Sequence, residues 1–150
     1  LLTSLRGGTT MSALREFLPI RGTEGQIHLD LDEVSFIDAW PTHALGTITL
    51  ISVAVPPLVP NSNGTLIQLG NHLITLNEIP EGGLGGSFND QGGPIESSGS
   101  WMLNMNKAFL IEGVLKARPS ADAALIQGIN FMTSEPDEAG NRQFSFAGSL

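Results

Sequence analysis

Two acidic groupings offer the most direct chemistry in this sequence. Asp30 and Asp32 alternate along one stretch with Glu24, Glu33 and Asp38 close by, and Glu135, Asp137, Glu138 and Asn141 crowd a later polar segment. Carboxylate and amide oxygens are the hard ligands that calcium takes. Asp30, Asp32, Asp38, Glu135 and Asp137 therefore form the candidate metal set, and calcium is the one cofactor the chain suggests, with none required. No EF-hand pattern accompanies them, and a solvated acidic edge that resists strand-to-strand aggregation explains the same residues. His28, His43 and His72 have neither a Gly-x-Ser-x-Gly elbow nor a His-Glu-x-x-His pair to work with, so nothing places a nucleophile beside a base and the chain reads as non-catalytic. Gly82 to Gly86 fail the dinucleotide fingerprint. The absence of cysteine removes thiolate catalysis, disulfides and Cys-based zinc sites together. Trp40 and Trp101 are the aromatic groups able to stack on a sugar, which sustains a lesser carbohydrate-binding alternative, although Trp101 is in phase with Leu103 and Met105 and so reads as core.

The elements that must position these residues are short. The chain has 150 residues, 41% of them apolar, enough for one core. Eighteen Gly and nine Pro divide it into many pieces. A formal charge of −8 argues against nucleic-acid binding through phosphate neutralisation. No apolar run reaches the roughly 18 residues of a spanning helix, so no membrane insertion of this segment is expected. The Leu1-Leu2 start, without Met, suggests a segment of something longer.

Period-2 alternation recurs from Ile27 to Phe146, with phase slips that require bulges near Asp32-Glu33 and Ile51. Helical patterns appear only near Thr10 to Leu18 and Pro119 to Leu125. Ile129 and Phe131 read as the start of a strand, and Asn106-Lys107 as a turn splitting the alternating run that begins at Trp101. Asn63-Gly64 is a tight-turn signal. The expected fold is all-β, an immunoglobulin-like antiparallel sandwich of about seven or eight strands with one or two short helical turns. Its domain would span residues 23–150, with a Gly-rich loop at 80–100, preceded by an arm or linker at 1–22. The expected core comprises Leu29, Leu31, Phe36, Ile48, Leu50, Leu66, Leu103, Phe109, Ile111, Leu125, Phe131, Phe144 and Phe146.

Two stretches carry a resemblance. Thr23-Glu24-Gly25 leads through Ile27, Leu29, Val34 and Phe36 to Ile37-Asp38-Ala39, and Gly46-Thr47-Ile48-Thr49-Leu50 is followed by Asn63-Gly64-Thr65-Leu66. Later, Ile111-Glu112-Gly113-Val114-Leu115 precedes Ala121 to Leu125 and Gly128-Ile129-Asn130-Phe131, then Pro136, Gly140, Phe144 and Phe146. This order resembles the cadherin-like, immunoglobulin-fold tandem repeats of large bacterial surface proteins and adhesins. Asp38-Ala39-Trp40-Pro41 stands where that family often has Asp-x-Asp-Gly. The resemblance implies a structural or adhesive module of a long extracellular or cell-surface protein, partnered by neighbouring copies of itself. The alternative is a self-assembling subunit of a surface filament, viral fibre or shell. In that case the apolar arm, with Leu5, Leu14, Phe17, Leu18 and Ile20, docks on the next subunit.

Overall fold

The computed structural model describes residues 1–16, 18, 20–57, 64–80 and 82–150. Its elements are β1 (Leu2–Thr10), a 3-10 turn (Met11–Leu14), β2 (Glu24–Ile37), β3 (Trp40–Val55), β4 (Ile67–Leu76), β5 (Leu84–Asp90), β6 (Ile95–Leu103), β7 (Ala108–Ala117), α1 (Ala123–Met132) and β8 (Arg142–Ser149). The fold class is the expected one: all-β, eight antiparallel strands, one short helix and one 3-10 turn, a β-sandwich-like fold. The strands lie in a single sheet in chain order, β1 to β8, each beside its sequence neighbours.

Two adjacent cross-strand rows show what the alternation achieves. Gly7, Leu29, Ile48, Ile74, Phe88, Gly99, Gly113 and Phe144 pair in succession across all eight strands. One residue away, Arg6, Asp30, Thr47, Thr75, Ser87, Ser100, Glu112 and Ser145 do the same. Neighbouring residues on a strand point to opposite faces, so one face of the sheet is hydrocarbon and glycine and the other is polar. On the polar face Arg6 Nε donates to Asp30 Oδ1 at 2.8 Å, and Ser145 Oγ donates to Glu112 Oε1 at 3.4 Å.

The phase slips are real bulges. Register shifts fall between Leu31 and Glu33 and between Leu50 and Val53, and the first brings Val34 back to the core, where it is buried beside Leu31. Gly46 faces this bulge at φ 131°, where a built Cβ would lie 2.6 Å from the Leu31 Cα. Only glycine fits that approach. A further shift between Ser35 and Phe36 turns Phe36 outward, 47% exposed, contrary to its assignment to the core.

The core forms three clusters. Leu31, Val34, Ala44 and Leu76 are buried with Leu29, Ile48, Leu84 and Trp101 packed on them. Met11, Ile27 and Val53 gather Leu14, Leu18 and Leu50. Val55, Ile67, Ile95, Leu125 and Ile129 form the third, joined by Ile20 and Leu115. Leu66, Leu103, Phe109, Ile111 and Phe144 are only half-buried, and Phe146 is 39% exposed.

Three segments differ from expectation. The arm is not separate: β1 pairs with β2 from Leu2↔Val34 to Thr10↔Gln26. As an exposed edge strand carrying Gly7-Gly8 it shows no apolar period. Thr10 Oγ1 accepts from the Ala13 amide at 3.3 Å and caps the 3-10 turn. Residues 80–100 are largely strand, β5 paired to β6 from Leu84↔Leu103 to Asn89↔Ser98; glycines at apolar-face positions blank the alternation there. Ile129 and Phe131 lie in α1, whose N-cap Asp122 accepts from the Leu125 amide at 2.8 Å. Leu125 and Ile129, four apart, share the buried side, and Phe131, two residues further, is rotated outward and 84% exposed.

Candidate functional site

The apolar face is built around a glycine pair. Gly99 on β6 and Gly113 on β7 are cross-strand partners, and Phe88 of β5 lies over both. A Cβ on Gly99 would sit 2.6 Å from Phe88 Cζ, and one on Gly113 would sit 3.0 Å from it. The ring thus covers backbone that would otherwise be bare, and it reaches Phe144 on β8 with centroids 6.0 Å apart; Phe144 continues to Phe146 at 5.6 Å. Tilted pairs at this spacing are favourable beyond their buried area.

At one end of this face α1 lies across β4 and β7 and roofs a cavity of about 200 Å³. Its wall comes from Val55, Ile67, Leu69, Ile95, Leu115, Phe144 and Phe146 on the strands, Leu125, Gly128, Ile129 and Met132 on α1, and Ile20 and Thr133 beside them. The Thr133 hydroxyl donates to the Ile129 carbonyl at 2.6 Å, so the one side-chain polar group in the wall is already engaged.

A charged clamp holds the Ile95 side of that wall. Asp90 at the end of β5 is 10% exposed and pairs with Arg118 Nη2 at 2.7 Å. It also accepts from the Ser97 amide at 2.9 Å and the Gly92 amide at 3.2 Å. Burial pushes the Asp90 carboxyl up, but the Ser97 amide, Arg118 and the Gly92 amide outweigh it and hold the group below the ordinary carboxylate value. Arg118 Nη1 donates in turn to the carbonyls of Ile95 at 2.7 Å and Gly93 at 3.1 Å. His72, whose ring lies 3.1 Å from the Leu69 carbonyl, is pushed below the usual imidazole value by burial, which the Leu69 carbonyl and Asp90 only partly oppose.

The sequence-derived carboxylates are not brought together. Asp30 and Asp32 sit on β2, with Asp30 paired to Arg6. Asp38 is in the two-residue β2–β3 turn, where both Asp38 and Ala39 have positive φ (49° and 63°). Glu135 and Asp137 lie between α1 and β8, at the other edge of the sheet. Asp137 Oδ1 accepts from the Ala139 and Asn141 amides at 2.9 and 2.8 Å and closes its own turn. Among the described residues no group of three or more His, Asp or Glu side chains is placed to hold a metal ion. Of the proposed assembly residues, Leu14, Leu18 and Ile20 pack into the chain's own core, Leu5 is 40% exposed on β1, and Phe17 lies outside the described residues. Trp101 packs on the Leu31 cluster, and the Lys107 ammonium stands 4.9 Å from the Trp40 ring centroid.

Compared with known proteins, residues 2–145 match the family model of the type II secretion system (T2SS), protein N. The chain belongs to that family. No curated protein and no solved structure gives a match. Membership in the protein N family overturns the cadherin-like resemblance, which rested on short strand-and-turn motifs that any antiparallel β protein repeats. The adhesive-module and filament-subunit readings and the extracellular or cell-surface location fall with it. Among the described residues of this protein N chain no helix is long and apolar enough to cross a membrane.

Sequence reasoning missed Gly128, Asp90 and the Gly99/Gly113 pair. The Leu125-x-x-x-Ile129 spacing running on from an Ala-rich start marks α1 and would have exposed Gly128 as a mid-helix glycine.

Proposed function

We propose that this protein N chain is a non-catalytic part of the type II secretion machinery, on its inner-membrane or periplasmic side, and that it works by binding other proteins of that machinery. Beyond family membership, the observation that carries this reading is surface. The chain exposes 9294 Å², against about 7,400 Å² for a compact monomer of its mass. The excess is larger than the roughly 800 Å² that one partner contributes to a standard interface. Much of it is apolar: Phe131, Met132, Ile126 and Phe146 are all exposed at the α1–β8 end.

That end also offers an edge. β8 pairs with β7 in unbroken register from Leu115↔Arg142 to Ala108↔Ser149, and only its start is covered, by the Ser134 amide donating to the Gln143 carbonyl and the Ser134 hydroxyl accepting from the Gln143 amide. At the opposite edge, β1 carries Ser4 at φ 56° and the Arg6–Asp30 pair, features that discourage strand addition. The open part of β8 therefore suits an added strand from a partner.

A photoreactive residue at Ser145, introduced in cells that assemble the whole machinery, tests this. Crosslinks to another secretion-system component are expected, and they should disappear when a proline at Ala147 interrupts the edge. Crosslinks unaffected by the proline, or none to any component of the machinery, would refute strand addition at β8.

A further inference from the structure

We propose that the cavity beneath α1 takes the end of a linear alkyl chain, the acyl tail of a lipid, and that Gly128 keeps it open. This goes beyond partner binding at β8 and is tested apart from it, though exposed Met132 and Phe146 enter both readings.

The first observation is Gly128 itself. It sits in the middle of a ten-residue helix, where glycine is less favourable than alanine. Its φ is not positive, and a Cβ built on it meets nothing within 4 Å. Neither backbone geometry nor crowding calls for glycine at this position. What the missing side chain leaves is space, directly in the cavity wall.

The second is the chemistry of that space. Apart from Thr133, whose hydroxyl is bonded to the Ile129 carbonyl at 2.6 Å, the wall offers no polar side chain. Water needs two or more polar partners to settle in a cavity, whereas a void of 150 Å³ lined by aliphatic and aromatic groups stays dry and admits benzene. At about 200 Å³ this one is larger, matching about seven or eight carbons, yet well short of a whole drug-sized ligand. It therefore receives the end of a molecule whose remainder lies outside.

The third is the rim. Wall residues come from β3, β4, β6, β7 and β8 as well as α1, so the sheet curls around the space that the helix roofs. Met132 and Phe146 belong both to the wall and to the exposed surface, so methylenes leaving the cavity remain on apolar ground. Arg142 pairs in register with the wall residue Leu115 and donates to the Ser134 carbonyl at 2.8 Å, which sets a cation at this rim, complementary to an anionic head group.

The test uses the 150-residue chain with labelled Ile and Leu methyl groups, titrated with hexanoate, octanoate, decanoate and dodecanoate below their micellar concentrations. Saturable shifts are expected at Leu125 and Ile129, with affinity rising about fourfold per methylene and levelling near eight to ten carbons. Gly128→Leu should weaken octanoate binding at least about a hundredfold without lowering Tm. Gly128→Ala, a milder change that favours the helix, should move the plateau about one carbon shorter. Absence of saturable shifts with every chain length, or unchanged binding in Gly128→Leu, would overturn the proposal. So would displacement of octanoate by N-acetylphenylalaninamide at equal or lower concentration, which would make the occupant a protein side chain.

Discussion

Removing the Phe88 ring tests how the apolar face is held together. A buried Phe→Ala change costs about 3–5 kcal/mol. Phe88 is half-buried, which lowers that figure, but it also loses the tilted contact with Phe144 at 6.0 Å, and the Gly99 and Gly113 backbone beneath it becomes bare. Phe88→Ala should therefore destabilise the chain by about 2–4 kcal/mol, or about 5–15 °C in Tm for a domain of this size. The decisive measurement is a cycle with Gly99→Ala, followed by urea unfolding. The new Cβ would lie 2.6 Å from Phe88 Cζ but also against the Glu112 carbonyl oxygen and 2.7 Å from the Gly113 Cα. Removing the ring relieves only the first of these conflicts. The double variant should be more stable than the sum of the single losses predicts, by about 1 kcal/mol, yet still less stable than Phe88→Ala alone. Strict additivity, or a Phe88→Ala loss below about 0.5 kcal/mol, would show that the ring does not rest on the glycine pair.

Asp90→Asn should cost about 2–3 kcal/mol by urea unfolding, because it leaves Arg118 without its carboxylate; the half-exposed arginine keeps the loss below that of a fully buried pair. Stability should fall on acidification for two reasons with the same sign. Asp90 is depressed in the fold, so its contribution is present above the unfolded carboxylate pKa and disappears as pH drops through the folded value. His72 is also depressed, so below about pH 6.5 the unfolded chain takes up a proton that the folded chain resists. His72→Asn should flatten the pH 7 to 5 limb of a Tm profile, and Asp90→Asn the limb below it. Leu125→Ala should cost about 2–5 kcal/mol, whereas Phe131→Ser should change stability by less than about 0.5 kcal/mol and improve solubility. Millimolar calcium should shift Tm by less than about 1 °C, since the five candidate carboxylates are dispersed over β2, a hairpin turn and the α1–β8 connection.

Much of the sheet was legible because period-2 alternation survives wherever a strand has one buried face, as in Ile27, Leu29 and Leu31. Even the bulges at Asp32-Glu33 and beside Ile51 show as phase slips. The signal failed where side chains are missing or unconstrained. β1 is exposed along most of its length and so has no face to alternate. β5 and β6 place Gly86 and Gly99 where apolar residues would mark the strand, and Phe88 supplies the missing volume from a neighbour, a compensation that one strand's sequence cannot show. In α1, Ile129 and Phe131 fit a strand period as well as Leu125 and Ile129 fit a helix, and the Ala-rich start with the Asp122 cap decides between them. The acidic residues were visible, but their separation was not, because spacing along the chain does not say that β2 and the turn before β8 stand at opposite edges. The resemblance to surface repeats failed for a related reason: its motifs record strands and turns rather than a site.

The order β1 to β8 also bears on how the chain acquires its shape. Every strand pairs with the one made just before it, β7 with β8 across the connection that holds α1 and most of the others across short turns, and no early strand waits for a distant one to complete its ladder. A sheet of this order is built from neighbour-to-neighbour pairings alone. The third core cluster is the exception. It joins Ile20, Val55 and Ile67 to Leu125 and Ile129, so this part of the core closes only when α1 reaches strands made long before it, and until then the hydrocarbon face there stays open to water.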